Sequence, residues 1–225
     1  MTGAARLVVV RHGVTAWNRE GRFQGHLDPP LSADGRREAT LVAQRLADDE
    51  DLRPGRIVSS PLARATETAA AIATSCGIPL ERDERLMEIG QGRWEGRTHD
   101  EIAAEDPAGY RRWRSSAGLK QPPGGESAAS ATRRLASFVR SLGPGQDEGD
   151  TICVVSHGGS IRILAALLFG IGLERAWALD VDNASVSVAS AGVRGWRAER
   201  WNDTHHLLGL EPTHVDEADG RPLAL

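Results

Sequence analysis

Lysine is nearly absent from this chain of 225 residues: Lys120 is the only one, so almost all of its 27 basic residues are arginine. A GC-rich coding sequence produces that bias without any functional cause. Cysteine is also scarce. Cys76 and Cys153 have no metal-ligand spacing and Cys153 sits in an apolar run, so both read as buried thiols of a reducing cytoplasm. No apolar run approaches the roughly 20 residues that span a bilayer, and Met1–Arg6 has none of the pattern of a secretory signal. A membrane partner is therefore not expected. The net charge of −4 gives no reason to expect nucleic acid as a partner either. No linker, internal repeat or low-complexity tract divides the chain, which reads as a single domain over residues 1–225 with one sizeable core.

What the chain does have is one design used twice. Leu7-Val8-Val9-Val10-Arg11-His12-Gly13 and Ile152-Cys153-Val154-Val155-Ser156-His157-Gly158-Gly159 each run an apolar strand into a histidine and then glycine. Continuous β-branched runs are strands buried on both faces, the usual condition inside a parallel sheet. Ligands of open α/β folds collect at the carboxyl ends of such strands, and glycine there lets a ligand approach the backbone. Two such histidines, with Arg11 beside the first, point to an anion-handling site.

The rest of the chain supplies the matching frame. A polar segment over 13–32 ends at a Ser32 or Asp34 cap, and the helix that follows carries Ala39, Val42, Ala43 and Leu46 on one face. Arg56–Ser59 reads as a strand, followed by a helix with Ala65, Ala69, Ile72 and Ala73 together. Leu135, Phe138, Val139 and Leu142 mark a third helix, stopped by Gly-Pro-Gly at 143–145. Ile161, Leu164, Ala165 and Leu168 mark a fourth. Later strands are expected at 185–189 and 194–200. The alternation predicts an α/β fold with right-handed crossovers. Residues 90–125 break the rhythm with Gly, Pro, Trp and charge, as a lid or substrate-shaping insertion would. The acidic tail after Pro212 reads as loose.

Arg11, His12, Asn18, Arg64 and His157 form the anion-binding inventory. Arg11 and Arg64 can each grip two phosphate oxygens with a planar fork. Arg64 also stands near the start of its helix, where the dipole adds positive field. A neutral histidine among such donors can attack phosphorus while the cations stabilise charge on the oxygens. Glu88, in Arg85-Leu86-Met87-Glu88-Ile89-Gly90, is the best carboxyl to protonate the departing alkoxide. Its apolar neighbours push it toward protonation and the arginines pull the other way.

These residues carry a family resemblance. Val10-Arg11-His12-Gly13 with Thr15-Ala16-Trp17-Asn18 resembles the signature of the histidine phosphatase superfamily, the phosphoglycerate mutase-like proteins. Gly21–Gly25, Pro30–Gly35, Ser59–Ala69, Glu88–Gly96, Gly124–Ser127, Val155–Gly159 and Trp201–Thr204 continue the match in order, across about residues 7–207. The resemblance implies a three-layer α/β/α sandwich around a central, mostly parallel mixed sheet. It implies that His12 is phosphorylated during turnover, that Arg11, Arg64 and His157 form the phosphate pocket, and that Asn18 donates to the bound phosphate. Gln24, Gly25 and Gly158 join the expected substrate-binding set. Glu88 would act as general acid, then as the base that activates water. No metal and no cofactor is expected, because arginines replace the usual cation clamp.

Within the superfamily, the Ile89–Thr98 segment is similar to the phosphatase branch. Mutases usually follow the acid with an aromatic-Gly pair and Leu-Asn-Lys, and they tend to carry threonine where Gln24 stands. The pattern resembles glucosyl-3-phosphoglycerate phosphatases of actinobacteria, and equally broad-specificity sugar-phosphate phosphatases. The expected partner is a small-molecule phosphate ester, and the family also allows a homodimer through an edge strand. Arg111, Arg112 and Arg114 read more readily as a solvated helix face than as substrate contacts. His205-His206 lacks partners spaced for a metal. A non-catalytic phospho-ligand-binding module is the rival from another class. It is disfavoured because Arg11, His12, Arg64, Glu88 and His157 are all present.

Overall fold

A computed structural model describes residues 6–115, 121–142, 151–193 and 195–210. The two β-branched runs become adjacent central strands. β1 (Arg6–Arg11) and β4 (Thr151–Ser156) pair in parallel, with Leu7 opposite Ile152 and Arg11 opposite Ser156. β2 (Arg56–Ser59) pairs in parallel with β4, and β3 (Leu80–Arg82) with β2. On the other side of β1, β5 (Val186–Gly192) runs antiparallel to it and β6 (Gly195–Asp203) antiparallel to β5. The order is β3-β2-β4-β1-β5-β6, a mostly parallel mixed sheet as expected. The last two strands run past the expected 189 and 200. Register shifts between Val186 and Ala189 absorb the mismatch with β6.

The period of two sorts the central strands between two cores. Leu7, Val9, Ile152 and Val154 pack against α6 (Ala128–Ser141) and α7 (Gly158–Phe169) through Leu135, Phe138, Ile161 and Leu164. Val8, Val10, Cys153 and Val155 pack instead against α2 (Ala33–Asp48) and α3 (Ala63–Cys76) through Val42, Leu46, Ala69 and Ile72. Helices thus cover both faces, which makes the α/β/α sandwich. Ser32 caps α2 by accepting from the Gly35 amide, and Gly77 and Gly170 end α3 and α7 in the left-handed conformation. A short α1 (Ala16–Arg19) follows β1, closed by a capping box between Thr15 and Asn18. Another short helix, α8 (Leu173–Ala176), follows α7.

The insertion expected over 90–125 contains two helices among its described residues. It holds α4 (His99–Glu105) and α5 (Pro107–Arg114), capped by Thr98 and Asp106. Pro107 stands in the first turn of α5, where its missing N–H costs nothing. Phe23, Trp94, Tyr110 and Trp113 close around Ile102 as a third core. Trp94 and Trp113 meet edge to face at 5.3 Å between ring centroids, and the Tyr110 hydroxyl lies 2.9 Å from His99 Nδ1. The segment is a packed wall. Arg111, Arg112 and Arg114 are exposed on α5, while Lys120, the stop at 143–145 and the tail after Pro212 lie outside the described residues. No helix among the described residues is long and apolar enough to cross a membrane.

Candidate active site

Because β1 and β4 are parallel and in register, both strands end at the same level. The His12 amide donates to the Ser156 carbonyl at 3.0 Å, and the next residues of the two strands stand together. The His12 and His157 rings lie 5.1 Å apart between centroids, tilted by 59°. Both are buried.

His12 Nδ1 lies 2.7 Å from the Gly13 carbonyl oxygen. A carbonyl only accepts, so Nδ1 carries the proton and Nε2 keeps its lone pair. Burial, then the charges of Arg64 and Arg11, pushes the His12 pKa well below 6.5. His157 is lowered in the same way, by burial first and then by Arg64, His12 and Arg11. Both imidazoles are neutral at neutral pH.

The two arginines are gripped by backbone. Arg11 Nη1 donates to the Val181 carbonyl at 2.6 Å. Arg64, the second residue of α3, donates through Nη1 to Leu27 and through Nη2 to Gly25, each at 2.9 Å. Burial lowers both guanidinium pKa values to about 10, which leaves them charged. Arg11 Nε, Arg64 Nε and His157 Nδ1 are buried with no hydrogen-bond partner among the described residues. Orphaned buried polar atoms are costly, so three in one pocket mark a place where a polar ligand completes the structure.

Glu88 sits at the start of α7. Its Oε1 accepts from the Ile89 amide at 2.8 Å and the Ser160 amide at 3.0 Å, and its Oε2 from the Gly159 amide at 3.1 Å. It thereby does the capping work that His157, the residue at the N-cap of α7, leaves undone. Both lone-pair directions of Oε1 are thus taken by amides, whereas Oε2 receives a single amide.

Gly13 is also required by close packing of the backbone. A Cβ there would lie 2.4 Å from the Gly35 carbonyl oxygen, and a Cβ on Gly35 would lie 2.1 Å from that of Val14. The close approach is backbone against backbone, between the loop after β1 and the first turn of α2. The loop is fixed further by Thr68, whose hydroxyl accepts from the Gly13 amide, and by Glu38, whose carboxylate accepts from Val14. Gly158 is less crowded: its Cβ would meet Arg11 Cζ and Arg162 Nη1 at 3.5 Å.

The remaining expected residues divide by what they touch. Asn18 Oδ1 accepts from the Thr15 amide at 3.0 Å, which leaves its Nδ2 as the end that can face a ligand. Gln24 is buried, with Oε1 3.1 Å from the Thr15 hydroxyl. Gly25 holds Arg64 through its carbonyl, and its lack of a Cβ admits the Glu95 carboxylate. Glu126 pairs with Arg134. His206 donates from Nε2 to the Ala184 carbonyl. No group of three or more His, Cys, Asp or Glu gathers as a metal site among the described residues.

Several supporting residues have roles that the sequence alone does not assign. Ser60 Oγ lies 2.8 Å from His157 Nε2. Arg162, buried beside Arg11, donates to the Leu179 carbonyl. Asn183 Nδ2 and the Ala184 amide both donate to the His12 carbonyl, at 3.0 and 3.1 Å. That loop is tied to β6 by Asn202, which donates to Asp182 through Nδ2 and accepts the Asp182 amide through Oδ1.

The model of the "Histidine phosphatase superfamily (branch 1)" matches residues 7–204. Phosphoserine phosphatase 1 of Hydrogenobacter thermophilus is 36% identical over 203 residues, covering 90% of this chain and 94% of that protein. Glucosyl-3-phosphoglycerate phosphatase of Mycolicibacterium vanbaalenii is 36% identical over 217 residues, covering 88% and 94%. A solved mycobacterial glucosyl-3-phosphoglycerate phosphatase, complexed with VO3, superposes with a TM-score of 0.79 at 36% identity, covering 88% of this chain and 99% of that one. A paired His12–His157 site at the ends of two parallel strands, in a chain so matched from end to end of its sheet, places this protein in the histidine phosphatase superfamily, on the side of its phosphatases.

Proposed function

We propose that this chain hydrolyses small phosphate monoesters, of sugar or glycerate type, through a phosphohistidine on His12. The observation that carries the reading is the set of three orphaned nitrogens, Arg11 Nε, Arg64 Nε and His157 Nδ1, around an imidazole whose Nε2 is free. With the Ser60 hydroxyl donating to His157 Nε2, Nδ1 carries the proton and becomes a donor. Three donors, two of them cationic, match the oxygens of a phosphoryl group.

In the first step His12 Nε2 attacks phosphorus, the P–O bond to the leaving group breaks, and the proton on Glu88 Oε2 passes to the departing oxygen. In the second, the Glu88 carboxylate takes a proton from water as its oxygen attacks the phosphohistidine. Inorganic phosphate leaves and His12 is restored. Asn18, on the short helix α1 after β1, serves as a further donor through Nδ2. The relatives named for phosphoserine and for glucosyl-3-phosphoglycerate support a small monoester as substrate. Two free, buried cysteines fit a cytoplasmic place of action.

The test is phosphate release from a panel of monoesters, with phosphoglycerate isomerisation followed in parallel, each with and without 2,3-bisphosphoglycerate. Release without isomerisation is the expected result. Bisphosphate-dependent isomerisation would make the chain a mutase, and silence on every ester would revive the binding-module reading.

A further inference from the structure

Glu88 lies in a stretch with no regular secondary structure, yet every carbonyl from Arg85 to Glu88 is held by a side chain. Ser156 Oγ donates to the Leu86 carbonyl at 2.8 Å, and Ser160 Oγ to that of Met87 at 2.6 Å. His26 Nε2 lies 2.8 Å from the carbonyl of Glu88, to which it can only donate. The remaining bonds come from one residue on α6. Arg134 Nη1 donates to the carbonyls of Arg85 at 2.8 Å and Met87 at 2.6 Å, and Nη2 to that of Glu88 at 3.1 Å. Its Nε and Nη2 also form a two-point pair with Glu126 at 2.9 and 2.8 Å. A guanidinium has five N–H donors, and here all five are used. Lysine, a point charge on a flexible stem, cannot reproduce that fork.

Glu126 belongs to the turn Gly124-Gly125-Glu126-Ser127, which is locked against the same stretch. The Glu126 amide donates to the Gly90 carbonyl at 2.7 Å. A Cβ on Gly125 would lie 2.6 Å from that carbonyl oxygen, and one on Gly92 would lie 2.4 Å from the Gly124 carbonyl carbon and the Gly125 nitrogen. The turn, the arginine and the Glu88 stretch form one interlocked unit.

We infer that Arg134, held by Glu126, is a positioning residue that fixes the Glu88 carboxyl for proton transfer to the leaving group. The inference rests on the reading of Glu88 as the general acid. Arg134 reaches the carbonyls of 85, 87 and 88, and the Glu88 side chain reaches over to the α7 amides. The backbone grip therefore sets how far Oε2 stands from the pocket. Misplacement by about 1 Å costs up to about a hundredfold where geometry is decisive. That loss falls on the step that uses the proton and leaves phosphate binding alone.

The experiment compares kcat and KM for an alkyl phosphate, whose alkoxide needs a proton, with those for p-nitrophenyl phosphate, whose phenolate leaves without one. Arg134→Lys, Glu126→Gln and Glu88→Gln are measured side by side on protein shown to be folded by circular dichroism. Arg134→Lys is expected to lower kcat on the alkyl ester by about 10- to 100-fold, to lower it several-fold less on p-nitrophenyl phosphate, and to leave KM nearly unchanged. Glu126→Gln, which keeps the carbonyl bonds of Arg134, carries the same bias more weakly and decides the matter if Arg134→Lys does not fold. Equal losses on both esters in the Arg134 and Glu126 variants, beside a biased loss in Glu88→Gln, would overturn the positioning role and leave the acid in place. Equal losses in Glu88→Gln itself would overturn the acid, and the inference with it.

Discussion

The Gly13 carbonyl oxygen stands 2.7 Å from His12 Nδ1, and that contact decides which nitrogen of the ring can act. It protonates the side of the imidazole that faces its own backbone and leaves the lone pair on Nε2. In the proposed role of nucleophile His12 needs no separate base to ready it, because the tautomer is set by the main chain.

Removing that lone pair removes the proposed chemistry. His12→Ala is expected to lower phosphate release by about 10³-fold or more and to leave no acid-labile phosphoenzyme after rapid quench with a labelled ester. Turnover at the parent rate, or a phosphoenzyme that persists in the variant, would sink the mechanism.

The burial of His12 and His157 also makes folding depend on pH. In an unfolded chain a histidine takes up its proton near pH 6.5, whereas both folded-state values lie well below this. Below pH 6.5 the unfolded state binds protons that the native state refuses, so stability falls as pH falls. Each of the two contributes at most about 1.4 kcal/mol per pH unit. His206, lowered to about 4 chiefly by burial and then by Arg45, acts in the same direction between 6.5 and 4. Thermal unfolding is expected to show a Tm that drops steadily from pH 7 to pH 5. A Tm flat over that range would show the histidines to be solvated.

Gly13→Ala tests the backbone contact with Gly35. The added methyl would lie 2.4 Å from a carbonyl oxygen that belongs to the first turn of α2, with nothing flexible to move aside. Overpacking of this kind costs about 1–3 kcal/mol. The strain falls on the residue whose carbonyl orients His12, so kcat should fall together with Tm. Parent values of both would show that the loop relaxes freely.

The chain displayed its sheet core and its five principal site residues openly because both rest on runs of adjacent residues. β-branched runs named β1 and β4, and a histidine at the end of each placed the site. In the insertion the helix face at Arg111, Arg112 and Arg114 was legible, but the extent of α4 and α5 was not. Ile102, Tyr110 and Trp113 are spaced for helices, but Gly96, Pro107 and Gly109 interrupt the pattern, and the aromatic partner Phe23 is remote in sequence. Arg134 was hidden for another reason. Its meaning lies in the carbonyls it binds, and carbonyls look alike at every position of a sequence. Gly13 was visible as a constraint, but its partner Gly35 became apparent only once α2 was docked.

The loop that holds the His12 carbonyl and the Arg11 guanidinium is tied down by Asn202, on a strand near the far end of the described chain. About 190 residues separate His12 from the Asn202 clamp that steadies it. Contacts of such separation form late in folding, because the loop entropy must be overcome before they stabilise anything. The surroundings of His12 are therefore complete only when the sixth strand has joined the sheet, which ties the geometry of the site to the most non-local contacts of the fold.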